Sequence, residues 1–136
     1  MIIKTAIIGC WDVVSSYGVE TSAHPLNHID ALNDNKNFDI VGISDNDARK
    51  LALIQDKFQI KNAYQSYKDL ALNHDIDLMV VALPTELHFE AIDFLIKQNI
   101  KNIFCEKPFT KSLDEITKIS DSIDDQIFFI NYFRRW

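Results

Sequence analysis

The stretch that most constrains the fold is an apolar run that ends in a proline, DIDLMVVALPTELH at residues 75–88. From Ile76 to Leu83 it is interrupted by a single acidic residue, so it is too continuous for a strand with one face in water. It is also far too short to cross a membrane as a helix. A strand that is apolar on both faces is typical of a parallel sheet with helices on each side. The sequence therefore predicts a buried central strand that Pro84 ends.

A helix is expected directly after this central strand. Thr85 can cap it, and Leu87, Ala91 and Leu95 then recur at helical spacing on one face. The carboxyl end of a buried strand would thus open onto a helix N-terminus. In open α/β sheets this is the edge at which ligands bind.

Strand and helix patterns alternate along the chain and predict a doubly wound α/β fold. The sheet is expected to be mostly parallel and six-stranded, with helices on both faces and right-handed crossovers. The expected strand order is 3-2-1-4-5-6, with the switch point between strands one and four. At 136 residues, the chain is expected to form one domain. The predicted strands cover residues 2–9, 38–44, 62–64, 76–83, 100–105 and 126–132.

Several predicted helices carry a start signal. Pro25 fits the first turn of the helix that follows strand one. Ser66 with Asp69, and Ser112 with Glu115, have the spacing of capping boxes. These signals place helices before strands two, four and six.

Composition and the N-terminus exclude several classes of partner. Lys and Arg number 14 against 20 for Asp and Glu, a net charge of −6, which disfavours nucleic acid or an anionic membrane as the main partner. Residues 1–10 carry Lys4 inside an apolar run and lack a cleavage-site pattern, so they are predicted to be a strand and not a signal peptide. The histidines outside the 75–88 stretch have no ligand-like spacing, and no metal site is predicted.

The two cysteines are predicted to be free thiols. Cys10 ends strand one and Cys105 ends strand five, with strand four between them. Two strand spacings amount to about 9.6 Å, which is beyond the reach of a disulfide. Two cysteines also make neither a disulfide framework nor a metal set, so a reducing cytoplasm is the expected location.

Gly9 ends strand one and opens a candidate nucleotide-binding turn. In a G-x-G-x-x-G turn, backbone N–H groups reach a diphosphate at a helix N-terminus. Residues 9–14 read GCWDVV and lack the second and third glycines, while Trp11 places a large side chain on the path of the diphosphate. Gly9, Cys10 and Trp11 are candidate cofactor residues. The alternative is that Gly9 merely closes a strand.

Asp45 and Asn46 end strand two. A carboxylate there can accept hydrogen bonds from the adenosine ribose and would repel a 2′-phosphate, which favours NAD over NADP without excluding NADP. Asp45 lies farther from Gly9 than the usual ~20 residues, and the irregular stretch 10–22 accounts for the excess. The alternative, compatible with the first, is that Asp45 caps the next helix.

The turn after strand four supplies four further candidate cofactor residues, Leu83, Pro84, Thr85 and His88. This turn lies beside strand one, across the switch point. His88 is on the first turn of a helix, where the helix dipole disfavours a charged imidazole. The alternative for His88 is a partly exposed helix residue without a role in binding.

Glu106, Lys107 and Pro108 follow strand five directly and are candidate cofactor residues, with Lys107 also the candidate catalytic residue. A lysine at the carboxyl edge places a positive charge over the ligand crevice. Lys107 could hold a substrate hydroxyl and ease its deprotonation as hydride leaves. Pro108 restricts Lys107 to an extended conformation and makes their peptide bond a candidate for the cis form. The alternative is that Lys107 is a solvated loop charge.

All these candidate residues follow strands one, two, four or five. The carboxyl ends of parallel strands meet at one edge of a sheet, so the candidates are expected to share that edge. Unrelated residues would be scattered between both edges. This common edge is the strongest physical argument for a ligand site.

The chain resembles the N-terminal domain of the glucose–fructose oxidoreductase / inositol dehydrogenase (Gfo/Idh/MocA) family. The combination of E-K-P after strand five with P-T-x-x-H after strand four is specific to the resemblance, and further matches span nearly the whole chain. The matching segments are AIIGC at 6–10, H-x-x-A-L at 28–32, VGISD at 41–45, YQSYKDL at 64–70, IDLMVVALPTELHFEAI at 76–92, FCEKPFTKSLDE at 104–115 and NYFRRW at 131–136.

The resemblance implies a Rossmann-type domain of an NAD(P)-dependent dehydrogenase that acts on a hydroxyl of a sugar, a cyclitol or a nucleotide sugar. In the family, the lysine of E-K-P lies between nicotinamide and substrate, which falls on Lys107. The turn after strand four lines the cofactor, and the acid after strand two, here Asp45, meets the adenosine ribose. The implied partner is a nicotinamide dinucleotide, with NAD expected.

Family members continue into a second α/β domain that supplies most of the substrate pocket and the oligomer interface. We therefore expect residues 1–136 to be the cofactor domain without that second domain, and not to turn over a sugar-like substrate alone. Exposed apolar surface near residues 128–136 would permit a homo-oligomer. Two alternatives are a non-catalytic nucleotide-sensing or assembly domain and a phospho-receiver module. The second needs acids at the ends of strand one and of a central strand, where Gly9 and Leu83 stand instead.

Overall fold

The computed structural model of the protein describes residues 1–10, 14 and 27–132. Four sequence predictions fall wholly or largely outside these residues: the position of Trp11, the irregular stretch 10–22, the helix start at Pro25 and the structure of residues 133–136. The predictions for the other residues can be compared with the structure directly.

The described residues form a six-stranded sheet in the order β3-β2-β1-β4-β5-β6, which confirms the predicted order. Every strand pair is parallel. The switch point lies between β1 and β4, as predicted. The strands are β1 (Ile3–Ile8), β2 (Phe38–Ser44), β3 (Ala63–Tyr64), β4 (Leu78–Val81), β5 (Asn102–Glu106) and β6 (Ile127–Asn131).

The helices cover both faces of the sheet and confirm the doubly wound α/β fold. On one face, α1 and α2 pack through Ile29, Leu51 and Ile54; on the other, α3, α4 and α5 pack through residues such as Leu70 and Ile92. The described helices are α1 (His28–Asn33), α2 (Ala48–Phe58), α3 (Tyr67–Asn73), α4 (Thr85–Lys97) and α5 (Leu113–Ser122).

Strand β4 is the buried centre that the apolar run predicted, although it is shorter. Met79 and Val81 face one core cluster and Val80 faces the other, and all three side chains are at most 3% exposed. The strand is therefore apolar on both faces because helices cover both. The predicted strand at 76–83 was too long, since the ladder covers only Leu78–Val81.

The helix starts follow the predicted caps except at α4. Ser66 and Ser112 accept hydrogen bonds from backbone N–H groups of α3 and α5. At α4, Pro84 occupies the N-cap position without a side-chain cap hydrogen bond, and Thr85 is the first helical residue. The prediction that Thr85 caps this helix was therefore wrong. Thr85 already has helical geometry, so the helix begins one residue earlier than predicted.

The buried face of α4 also differs from the predicted one. Ala91 and Leu95 are fully buried as expected, but Leu87 is 43% exposed and His88 takes the inner position. Helical spacing allows either position 87 or position 88 to share the inner face of α4 with Ala91 and Leu95. A histidine can occupy such a core position when its ring nitrogens have hydrogen-bond partners.

Candidate nucleotide-binding site

Gly9 follows β1 in a conformation that glycine adopts more readily than other residues. Its φ is +94°, and a Cβ added to it would lie 2.3 Å from the carbonyl oxygen of Ala82, just after β4. Its N–H donates to the carbonyl of Ser44, the last residue of β2, over 2.7 Å. Gly9 therefore lets the ends of β1, β2 and β4 approach one another. This is a larger structural role than the alternative prediction, in which Gly9 merely closes a strand.

Asp45 follows β2, and its carboxylate joins two backbone segments. Oδ2 accepts a 2.7 Å hydrogen bond from the N–H of Cys10, and Oδ1 accepts a 2.8 Å bond from the N–H of Asp47. Helix α2 is capped by Asp47, which accepts from the N–H groups of Arg49 and Lys50, so the alternative that Asp45 is the cap was wrong. Each carboxylate oxygen can accept a further hydrogen bond, so Asp45 retains the capacity to bind ribose hydroxyls.

A groove of about 510 Å³ runs from the end of β2 to the first turns of α3 and α4. It contains Asp45, Asn46, Leu83 and Pro84 from the predicted site. The remaining lining residues combine apolar walls with acceptors and cations, namely Ile8, Ser44, Asp47, Lys50, Gln65, Ser66, Tyr67, Lys68, Leu87 and Glu90. This combination of side chains fits an adenosine, because the flat base packs against apolar walls and the ribose hydroxyls donate to acceptors.

His88 lies beneath the edge of the sheet and not in this groove. Its side chain is fully buried, so His88 is not the partly exposed helix residue of the alternative prediction. A fully buried side chain also does not contact a ligand that lies in the groove. Nε2 lies 2.7 Å from the carbonyl oxygen of Leu83, and Nδ1 lies 3.1 Å from that of Phe109. His88 thus joins the turn after β4 to the loop after β5, and it can affect a ligand only through those segments.

Both cysteines are buried free thiols, as predicted. Burial, reinforced by the charge of Asp45 and opposed by that of Lys50, raises the pKa of Cys10 to about 12. Burial, reinforced by the charge of Glu106, raises the pKa of Cys105 to about 12. Both are therefore neutral thiols at ordinary pH and act as packing groups.

Glu106 ends β5 with its side chain turned toward α1. It is 8% exposed, and its Oε1 accepts hydrogen bonds from His28 Nε2 over 2.7 Å and from Asn131 Nδ2 over 2.8 Å. Burial on its own would raise the pKa of Glu106, but the hydrogen bonds from His28 and Asn131, the charge of His28 and the N–H of Lys107 outweigh it and hold the pKa below its usual range. No local sequence pattern indicates this pairing, because His28 lies 78 residues away from Glu106.

Lys107 is exposed at the carboxyl edge, and its peptide bond with Pro108 is cis. The residue before it is anchored by the side chain of Glu106, and the carbonyl of Phe109 lies beside His88. Lys107 and Pro108 therefore form a short exposed segment between the buried Glu106 and the partly buried Phe109.

The structure brings the described candidate residues to one edge but gives them different positions. Residues 45, 46, 83 and 84 line the groove, while Lys107 and Pro108 are exposed directly after β5. Gly9, Cys10, His88 and Glu106 form the support beneath. Thr85 opens α4 next to the groove, and Trp11, the residue expected near the diphosphate, lies outside the described part of the chain.

Comparison with known proteins identifies the family that shares this fold and these motifs. Residues 17–127 match the model of the Gfo/Idh/MocA oxidoreductase family, described as an NAD-binding Rossmann fold. An uncharacterized oxidoreductase of Bacillus subtilis, YrbE, is 33% identical over 91 residues, or 67% of this chain and 26% of that protein. The D-xylose 1-dehydrogenase (NADP(+)) 2 of Haloferax volcanii is 29% identical over 83 residues, or 61% of this chain and 25% of that protein.

A solved structure with a similar fold is an oxidoreductase from Agrobacterium radiobacter in complex with NAD+, L-tartaric acid and magnesium. It superposes with a TM-score of 0.83 at 23% identity and covers 100% of this chain and 37% of that one. The chain therefore spans about a quarter of the length of these curated relatives and little more than a third of the solved chain.

Proposed function

The chain belongs to the Gfo/Idh/MocA oxidoreductase family as its NAD-binding Rossmann domain, and from this premise we propose that it serves hydride transfer between NAD and a hydroxyl of a sugar, a cyclitol or a nucleotide sugar. Lys107 is the proposed catalytic residue. The observation that carries the proposal is the common edge: Asp45 with its adenosine-sized groove follows β2 and the exposed Lys107 follows β5, two parallel strands of one sheet with β1 and β4 between them.

The adenosine half of NAD is assigned to the groove beside Asp45. Its ribose hydroxyls donate to the carboxylate, and Leu83 and Leu87 flank the base. A 2′-phosphate would stand against the charges of Asp45 and Asp47, which favours NAD. Lys50 lines the same groove, and its ammonium is the group that could bind the 2′-phosphate of NADP. The relative affinity for NAD and NADP therefore decides which cofactor the groove prefers.

The nicotinamide end is assigned to the side of the edge where Lys107 lies. Bound NAD supplies the hydride acceptor. In the proposed reaction the hydride passes from the substrate carbon to NAD and the hydroxyl proton passes to a base supplied by the second domain. The ammonium of Lys107 would donate to the substrate oxygen and stabilise the negative charge that develops there. Lys107 suits this role because it is exposed while Glu106 before it and Phe109 two residues after it are held by hydrogen-bond contacts.

The substrate pocket, turnover and oligomeric state are proposed to depend on a second domain like that of the family. The support is the length comparison, since the chain spans about a quarter of the curated relatives. Phe129 and Tyr132, at 53% and 55% exposure, provide apolar surface for such a contact or for a second copy of the chain. The phospho-receiver alternative is wrong, because the chain belongs to a different family.

We further propose a cytoplasmic location and no nucleic-acid or membrane partner. The support is the net charge of −6 and the two buried free thiols. None of the helices in the described ranges has the length and apolar character needed to cross a membrane.

The test of the cofactor assignment is a pair of fluorescence titrations, with NADH and with NADPH, on the chain and on Asp45→Ala. We expect NADH to bind more tightly than NADPH and the substitution to weaken NADH binding at least about tenfold, the loss of roughly 1.4 kcal/mol expected for a charged hydrogen bond. The Asp39→Ala variant is the matched control, because Asp39 is an exposed acid of the same strand. Absence of NADH binding at millimolar concentration would overturn the proposal.

A non-catalytic nucleotide-binding role is distinguished by Lys107. In the proposed enzyme, Lys107→Ala leaves the affinity for NADH within about twofold, because the groove is unchanged, but abolishes hydride transfer when the substrate-bearing domain is present. A variant that retained full hydride transfer would contradict the catalytic assignment.

A further inference from the structure

The segment that carries Lys107 is held from both faces of the sheet, by the half-buried His28 on one face and the fully buried His88 on the other. On the α1 side, His28 Nε2 and Asn131 Nδ2 donate to Glu106 Oε1 over 2.7 and 2.8 Å. The side chains of His28 and Glu106 are only 16% and 10% exposed, so water competes little for this contact. The residue immediately before Lys107 is thereby fixed to α1 and β6.

The second anchor lies on the opposite face. Nδ1 of the fully buried His88 is 3.1 Å from the carbonyl oxygen of Phe109, two residues after Lys107. The ring of Phe109 packs edge-on against Phe128, with centroids 5.9 Å apart. Nε2 of the same histidine lies 2.7 Å from the carbonyl oxygen of Leu83, which lines the groove. The imidazole therefore contacts both the groove and the lysine segment, but its neutral form has one N–H and donates to only one of the two carbonyls at a time. Nδ1 also lies 3.5 Å from Cys105 Sγ.

Only Lys107 and Pro108 lie between the anchors, and both are exposed. Consecutive Cα atoms are about 3.8 Å apart or less, so anchors at 106 and 109 leave the Lys107 backbone little freedom even though its side chain is in solvent. A catalytic group must be held within about 0.5 Å of its working position, and this is usually achieved by hydrogen bonds to neighbouring residues.

We propose that His28 and His88 are positioning residues for Lys107: His28 acts through its hydrogen bond to Glu106, and His88 acts through donation from Nδ1 to the carbonyl of Phe109. This inference deepens the proposed function, since Lys107 is the group assumed to meet the substrate. Neither histidine touches the reacting atoms, and their effect is on the placement of the lysine relative to the nucleotide.

The experiment is backbone ¹⁵N relaxation on the labelled chain, with the amide of Lys107 as reporter and the amide of Lys97, an exposed lysine in α4, as internal reference. We expect a Lys107 order parameter near the rigid value of about 0.85 in the unsubstituted chain and below about 0.6 in His28→Ala, with Lys97 unchanged. His28→Gln, whose amide can donate from nearly the same place as Nε2, should restore most of the order.

A loss of thermal stability in His28→Ala with an unchanged Lys107 order parameter would overturn the proposal, because a merely structural role predicts that result. If His28→Ala does not fold, Asn131→Ala removes the other donor to Glu106 and gives the same readout in milder form. For His88, the Asn variant can donate to Phe109 and should keep Lys107 ordered, whereas the Gln variant can donate to Leu83 and should not. If neither His88 variant folds, the His28 arm decides alone.

This readout is independent of cofactor binding. Failure of NADH to bind the unsubstituted chain would refute the proposed function and leave the Lys107 order parameters to test the positioning. Conversely, tight NADH binding with a mobile Lys107 in the unsubstituted chain would refute the positioning alone.

Discussion

The carboxylate of Asp45 accepts a 2.7 Å hydrogen bond from the backbone N–H of Cys10, although 35 residues separate them in the sequence. This bond fastens the segment after β2 to the segment after β1, at the edge assigned to the nucleotide. A residue expected only to bind ribose therefore also builds the site in which the ribose would lie.

Replacing Asp45 should accordingly affect the fold as well as binding. In Asp45→Asn the side chain has one carbonyl oxygen and cannot accept from both Cys10 and Asp47, so we expect the free energy of unfolding to fall by about 2 kcal/mol. Urea denaturation followed by circular dichroism measures it. Asp47→Asn is the control, since asparagine caps helices about as well as aspartate and little change is expected. Equal losses in the two variants would contradict the tie to Cys10.

Gly9→Ala should be strongly destabilising. The added Cβ would meet the Ala82 carbonyl oxygen at 2.3 Å in a residue with φ of +94°, so we expect a loss of more than about 2 kcal/mol in the free energy of unfolding. Gly42→Ala is the matched substitution: its Cβ would meet the end of the Leu70 side chain at 2.7 Å, which can shift, and should cost less. Thermal denaturation of both variants gives the comparison, and a larger loss for Gly42→Ala would refute the account of Gly9.

The contribution of Glu106 to stability should depend on pH in a defined direction. Its pKa is held below the ordinary 4.5 in the folded chain, because hydrogen bonds to His28 and Asn131 outweigh the opposing effect of burial. As pH falls below 4.5 the unfolded chain takes up the proton first, so the stabilisation is complete above that pH and is lost as pH falls through the folded pKa.

Glu106→Gln tests this directly. At pH 7 the variant should unfold with a free energy lower by about 1.5–3 kcal/mol, the range for hydrogen bonds to a charged group. The difference from the unsubstituted chain should shrink as the pH is lowered past 4.5. Urea titrations at a series of pH values measure it. A difference that stays constant down to the acid limit would show that the carboxylate is not preferentially ionised in the folded state.

Neither cysteine should react in the folded chain. Burial is the main cause that raises the pKa of both Cys10 and Cys105 to about 12, so the reactive thiolate is almost absent at pH 8. An aromatic disulfide reagent should label neither thiol in buffer and both in denaturant. Rapid labelling of the folded chain would contradict the burial of the strand ends.

The sheet could be predicted from the sequence because apolar runs of strand length recur between helical patterns, and a strand such as β4, apolar on both faces, has few alternatives. The predicted strand order is the common order of a doubly wound sheet, with right-handed crossovers between its parallel strands. The carboxyl edge was predictable for the same reason, since Asp45 and Lys107 directly follow strands.

The contacts within that edge could not be predicted. Periodicity assigns a residue to a face but does not identify its partner across the sheet, so the pairing of His28 with Glu106 left no local signal. The same limit explains why His88 was expected in the groove: the spacing of α4 permits either Leu87 or His88 on the inner face, and only the carbonyl groups of Leu83 and Phe109 favour the histidine.

The most direct test of the account is an NMR titration of the ¹⁵N-labelled chain with NAD. Binding at the carboxyl edge predicts that the largest amide shift changes cluster at Gly9, Cys10, Asp45, Asn46 and Leu83. The groove at the other edge, lined by Asn33, Asp39, Gln59 and His74 among others, is the internal control and should not respond. Shift changes centred on that second groove, or none at millimolar NAD, would contradict the placement of the nucleotide.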